Sequence, residues 1–222
     1  MGAVKARRTY RSERRQEQAR STRAAVMEAA RRLFIDRGYS GTTIEQVAKE
    51  ARVAAITVYS TFGSKRALLA ELVGAAVSGD KAQAPVYEQE PAQAVSREQN
   101  QRRQLSMFAD EMAEILQRVA PLFEVVDHAA TMAPEIADLR AEMLRGRLQG
   151  MRVFVRGLAT HGALRPGILE EDAAQTVWAV TAPQLFRLLT RDLGWGPGRW
   201  STWAAETLSA ALLLPPRRRS ET

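Results

Sequence analysis

The chain contains no cysteine and only two histidines, His128 and His161, among 222 residues. Without thiols there is no disulfide scaffold, no thiolate metal cluster and no cysteine nucleophile. Two isolated histidines leave too few parts for a histidine metal site or a Ser-His-Asp triad. Long apolar runs are missing as well. The longest uncharged stretch, Ala173 to Phe186, contains Gln, Thr and Pro and falls short of the roughly 18 apolar residues that cross a bilayer. The basic N-terminus is not followed by the apolar segment of a secretory signal. These absences predict an intracellular, cytoplasmic protein with no membrane partner, no cofactor, no metal and no catalytic constellation.

What is present is positive charge, unevenly placed. The net charge is +7. Residues 1–79 hold 15 Lys/Arg against 7 Asp/Glu, a surplus of 8, whereas residues 80–222 hold 17 against 18. A domain-sized cationic surplus suits a polyanion, because neutralising phosphates releases condensed counterions.

Apolar periodicity is helical throughout, with no strand-like alternation and no internal repeat. Residues 1–20 read as a basic flexible arm (Lys5, Arg7, Arg8, Arg11, Arg14, Arg15) leading into a first helix that begins between Ser12 and Ser21 and ends at Arg37 before Gly38. Thr42 is expected to open a second helix, with Glu45 completing a capping box. A third helix spans about Ala54 to Phe62, and Ser64 caps a fourth carrying Leu68, Leu69, Leu72 and Val73. Together residues 21–77 form one helical domain. Residues 78–96, rich in Ala, Gln, Glu and Pro, read as a linker, with Ser96 and Gln99 marking the next helix start. Residues 97–213 form a second helical domain, with one helix stopping at Pro121, a long amphipathic helix from Pro134, and an interruption at Pro183. Residues 214–222 read as a disordered tail. The fold class is all-α.

Three short helices with a tight turn between the second and third define a helix-turn-helix, whose third helix reads the major groove. The run Arg37-Gly38-Tyr39-Ser40-Gly41-Thr42-Thr43-Ile44-Glu45-Gln46-Val47-Ala48, followed by Ala51-Arg52-Val53 and Thr57-Val58-Tyr59-Ser60-Thr61-Phe62-Gly63-Ser64-Lys65-Arg66-Ala67-Leu68-Leu69, resembles the DNA-binding domain of TetR/AcrR-type transcriptional regulators. The resemblance implies an N-terminal DNA-binding domain followed by a larger helical domain for ligand binding and dimerisation. It implies a homodimer on double-stranded, near-palindromic operator DNA, acting as a repressor released by a small-molecule effector. It also implies phosphate contacts from Tyr59 and Lys65. Two departures stand out: Arg52 occupies a turn position where the family has glycine, and Ala54 lacks the capping hydroxyl of a Ser. Ile56 also replaces a commoner small residue.

Helical projection places Val58, Phe62 and Ala54 inward and Ile56, Thr57, Tyr59 and Ser60 outward. The expected DNA contacts are therefore Thr42, Thr43, Arg52, Ala55, Ile56, Thr57, Tyr59, Ser60 and Lys65. The third helix contains no Arg, Lys, Asn or Gln, so bidentate guanine readout is denied to it, and thymine methyls and hydroxyl contacts remain.

In the second domain, Phe108, Met112, Leu116, Phe123, Val126, Met151, Phe154 and Trp178 are the expected pocket for a largely apolar effector of unknown identity. Val177, Leu185, Leu188, Trp203, Leu208 and Leu212 are the expected dimer interface, since surplus apolar surface marks association sites. A competing reading is a basic helical adaptor that binds polyanions or protein helices without operator specificity.

Overall fold

The computed structural model describes residues 2–79 and 89–215. Among them are helices α1 (Gly2–Arg37), α2 (Ile44–Glu50), α3 (Ala55–Phe62), α4 (Lys65–Ser78), α5 (Glu90–Arg97), α6 (Gln101–Ala130), α7 (Pro134–Thr160), α8 (Glu170–Val180), α9 (Pro183–Arg187) and α10 (Pro197–Leu212), with one π-turn at Leu188–Asp192. The described residues contain no strand. The chain divides into two compact units, one of residues 1–73 and 125–137, the other of residues 74–124 and 138–222.

In the first unit, Val26, Ala29, Ala30, Leu33 and Phe34 of α1 form the floor of a core. Ile44, Val47 and Ala48 of α2, Val58 and Phe62 of α3, and Leu68, Leu69, Leu72 and Val73 of α4 complete it. The small side chain of Ala48 is buried and lets α2 approach its neighbours closely. Gly38 ends α1 in the left-handed region (φ 70°), and its N–H donates to Phe34 O at 2.9 Å. The first helix starts at Gly2, about ten residues earlier than the hydrophobic pattern predicts. Between Ala3 and Arg37 it meets neither Gly nor Pro, and extending a formed helix is far easier than nucleating one. The expected flexible arm is thus helical here.

Three boundaries differ from expectation for local reasons. The cap of α2 is Thr43, not Thr42, and Gln46 rather than Glu45 closes the box: Gln46 N donates to Thr43 Oγ1 and Thr43 N to Gln46 Oε1. Helix α6 begins after Asn100, whose Oδ1 accepts from Arg103 N, so Ser96 is not its start; Ser96 lies inside α5. Pro121 does not stop α6. Its ring removes a hydrogen bond, but Val119, Ala120, Leu122 and Phe123 on both sides are buried, and that packing carries the helix through.

The second unit is built on a core of Leu105, Leu116, Val155, Leu158, Ala173, Val177, Trp200, Leu208 and Leu212. Helix α10 supplies Trp200, Ala204, Leu208 and Leu212 at successive four-residue steps, one buried stripe. The expected break at Pro183 is real: Pro183 stands at the start of α9, where its missing N–H costs nothing. The expected linker falls partly outside the described residues, and the tail from 216 wholly so.

Candidate functional site

The reading helix α3 is fixed from below by Val58 and Phe62, which are buried. Ala54, which precedes α3 at the cap position, offers no side-chain cap and is exposed rather than inward-facing. Opposite the buried pair stand Ile56, 72% exposed, and Tyr59, 43% exposed, with Ser60 on the other side of Ile56. Water gains nothing from an isoleucine held out in this way, and an exposed Ile on a rigid helix is suited to meet another apolar surface. Ala55 and Thr57 are half-buried at the edges of this face. Thr57 and Thr61 line a notch of about 430 Å³ with Gln18, Arg20, Thr22 and Arg23 of α1. Arg23 pairs there with Glu71 and lies 4.8 Å above the Phe62 ring. Sequence reasoning missed Gln18, Thr22 and Thr61, because nothing in their spacing reveals which face of α1 borders α3.

Hydroxyl commitments sort the remaining candidates. Thr42 is fully buried, and its hydroxyl serves the carbonyls of Leu33 (3.0 Å) and Gly38 (2.9 Å). It locks the turn after α1 and is corrected from contact residue to structural residue. Thr43 is exposed; its Oγ1 accepts from Gln46 N within the cap, and its hydroxyl also serves the Glu45 carboxylate. Ser60 donates to Thr57 O at 3.0 Å. Tyr59 OH donates to Glu45 Oε1 at 3.3 Å, and the Glu45 carboxylate raises the phenol pKa. Glu45 itself is lowered, first by its own backbone N–H and then by the Thr43 hydroxyl.

Lys65 does more than point at solvent. Its Nζ donates to Tyr39 O (2.9 Å) and Thr42 O (3.0 Å) and sits 4.1 Å from the Tyr39 ring centroid. Partial burial lowers its pKa. Two of three donors tie down the turn between α1 and α2, so one is left for a phosphate.

Arg52 is exposed in the turn and has φ 56°, alone among non-glycine described residues in being left-handed. Arg52 N donates to Lys49 O and Val53 N to Ala48 O, a Schellman ending for α2 in which glycine is the usual occupant. Left-handed backbone costs an L-residue about 1 kcal/mol. Arg52→Gly is therefore expected to stabilise the protein by about 0.5 kcal/mol, after allowing for the freer unfolded chain. The same variant is expected to weaken DNA binding and to lower the salt slope by about one unit. Thermal unfolding and salt-dependent titration check both, and unchanged DNA affinity would remove Arg52 from the interface.

In the second unit, Phe108, Met112, Leu116, Met151, Phe154 and Trp178 do share one cluster, with Phe108 and Phe154 stacked at 3.9 Å. Phe123 is buried, while Val126 belongs to the first unit and is removed from the pocket set. A groove of about 730 Å³ in this unit is lined by Arg102, Ser106, Arg165, Thr202, Glu206 and Ser209, among others, and by none of the eight expected residues. Of the expected interface, Val177, Leu208 and Leu212 are fully buried within the protomer and are core; the stripe that sequence marks as surplus is used internally. Leu188 is exposed, and Leu185 and Trp203 are half-buried, so these three retain surface for a partner. Leu193, also exposed, joins them.

A short helix with an apolar and hydroxylic outer face, joined by a tight turn to α2 over an apolar core in a cationic segment, has the arrangement of a helix-turn-helix DNA-binding domain. Comparison with known proteins places it more closely. Residues 26–72 match the family model of bacterial regulatory proteins, tetR family. No curated protein sequence matches the chain. Among solved structures, FadR of Bacillus subtilis in complex with stearoyl-CoA is 17% identical with TM-score 0.67, over 85% of this chain and 98% of that one. NalD, the secondary repressor of the MexAB-OprM multidrug efflux pump in Pseudomonas aeruginosa, is 21% identical with TM-score 0.66, over 89% and 98%. A SmeT–triclosan complex is 20% identical with TM-score 0.66, over 90% and 96%. No helix among the described residues is long and apolar enough to cross a membrane.

Proposed function

We propose that the chain is a homodimeric, cytoplasmic repressor that binds a near-palindromic operator and leaves it when a small, largely apolar effector enters the second unit. The observation that carries this reading is the outward placement of Ile56 and Tyr59 on α3 within a segment bearing a surplus of eight positive charges. Ile56 meets thymine methyls, Ser60 and Thr57 meet base edges or phosphates, and Thr43, Arg52 and Lys65 hold the backbone. Tyr59 reaches a phosphate by exchanging its hydrogen bond to Glu45 for one to DNA. Leu185, Leu188, Leu193 and Trp203 supply the apolar contact with a second copy, which sets two reading helices about one DNA turn apart. The effector acts only through unequal affinity for the DNA-bound and released states. Structural neighbours crystallised with stearoyl-CoA and with triclosan support an effector with a large apolar part.

Selection of bound duplexes from random DNA, followed by titration of the selected site and its scramble, tests this reading. The expected result is a two-fold symmetric site, a specificity ratio of at least about a thousand, and the sharpest losses at A·T pairs beneath α3. Equal binding to the scrambled duplex would overturn operator recognition, and sharpest losses at guanines under α3 would overturn the readout.

A further inference from the structure

Helix α7 carries a charge where its apolar stripe calls for a hydrophobe. Met151, Phe154 and Leu158 follow Arg147 by four, seven and eleven residues, the spacing of one helix face. All three lie in or against the core of the second unit. A guanidinium in this row is desolvated, and burial pushes its pKa down to about 10. An ion pair would offset that penalty, yet no carboxylate among the described residues bonds to Arg147. Its Nη2 donates instead to Trp178 O and, at 2.8 Å, to Thr181 Oγ1, both at the C-terminal end of α8.

Those bonds hold the guanidinium in place but leave donors over. Arg147 Nε is buried with no hydrogen-bond partner, and so is Trp178 Nε1. The two side chains are stacked, the guanidinium carbon 5.0 Å from the Trp178 ring centroid. Enclosed N–H groups without acceptors are rare in folded proteins. Here one sits on a cation and the other on the ring stacked against it, so their complement carries oxygen and negative charge. Around them the lining is apolar: Met151, Phe154 stacked on Phe108, and the Trp178 ring itself.

We propose that Arg147 and Trp178 form the head-group site for an effector with a carboxylate on an apolar body. The carboxylate oxygens accept from Arg147 Nε and Trp178 Nε1, and the body lies along the Met151 and Phe154 side of α7. The α8 carbonyl and the Thr181 hydroxyl keep the fork oriented before the ligand arrives. A neutral amphiphile leaves the guanidinium charge without a counterion, and a cationic one is repelled. The inference rests on the reading of the second unit as an effector domain and sharpens it.

The test uses the full chain without DNA. Thermal unfolding and tryptophan fluorescence are measured with aliphatic and aromatic carboxylates, each matched to the alcohol of the same skeleton. The expected result is that carboxylates raise Tm and bind at least about tenfold more tightly than their matches. Arg147→Met, similar in length and uncharged, is expected to abolish that preference while leaving the alcohols unaffected. Arg147→Lys, which keeps charge but not the fork, is expected to retain part of it. Trp178→Phe removes one donor and is expected to weaken it; this variant and Arg147→Lys carry the test should Arg147→Met fail to fold. Carboxylates no better than their alcohols, or a preference that survives Arg147→Met, would overturn the site. Operator binding by the unliganded protein, measured in parallel, reports on DNA recognition alone and separates the two failures.

Discussion

Ile56→Glu is expected to abolish operator binding while leaving the fold untouched. The side chain is 72% exposed, and glutamate is at least as good a helix former as isoleucine, so stability should move by no more than about 0.5 kcal/mol. Against DNA the same carboxylate faces the major groove and its phosphates, where like-charge juxtaposition costs several kcal/mol. A loss of affinity above about a hundredfold follows from 3 kcal/mol or so. Ile56→Ala, which removes only the apolar contact, is expected to lose about tenfold and mainly at A·T positions. Fluorescence anisotropy with the selected duplex and circular-dichroism melting report the two quantities separately. Wild-type affinity in the Glu variant would take α3 out of the groove, and unfolding would make Ile56 a core residue.

The largest effect on stability is expected at Trp200. It is fully buried at the start of the inward stripe of α10, with the Phe186 ring edge-on at 5.2 Å. Trp200→Ala removes the bulkiest side chain of that core, and losses of about 3–5 kcal/mol are usual for such truncations. Its indole Nε1 is buried without a partner, which makes Trp200→Phe the informative control. That change deletes the unsatisfied donor together with part of the volume, so the two effects oppose each other and stability should stay within about 1 kcal/mol. Chemical denaturation of both variants measures the difference. A mild Ala variant would show that the core collapses around the gap.

Much of the first unit is legible in sequence because its signals are local. Gly38, Gly63 and Ser64 punctuate helices whose apolar spacing is regular, and the two-sided nature of α3 follows from projection alone. The single-residue error at the start of α2 has a plain cause. Thr42 and Thr43 are both capable caps, and Glu45 and Gln46 both capable partners; only the tertiary demand for a hydroxyl at Leu33 O and Gly38 O decides that Thr42 turns inward. The second unit is harder. Burial within a protomer and burial against a copy select the same side chains, so Val177, Leu208 and Leu212 look alike from sequence whether they are core or interface. Pro121 misleads because a proline's local cost is outweighed by the packing of its neighbours, which sequence does not display. Arg147 was visible in the periodicity all along, as one cation in a row of hydrophobes, but a single charge on an amphipathic helix is usually a solvated one.

The length of α1 has a further consequence. Twenty residues, 2–21, precede Thr22, the first position of the helix that is not fully exposed among those described for burial; as continuous helix they span about 30 Å, or nearly nine base-pair steps of duplex. A tether bearing the same arginines would forfeit conformational freedom on meeting a polyanion, residue by residue. A helical mast has already given up that backbone freedom on folding. Operators would then be distinguished partly by flank length, with duplexes trimmed close to the central symmetric bases held less tightly than those that continue outward beneath the mast.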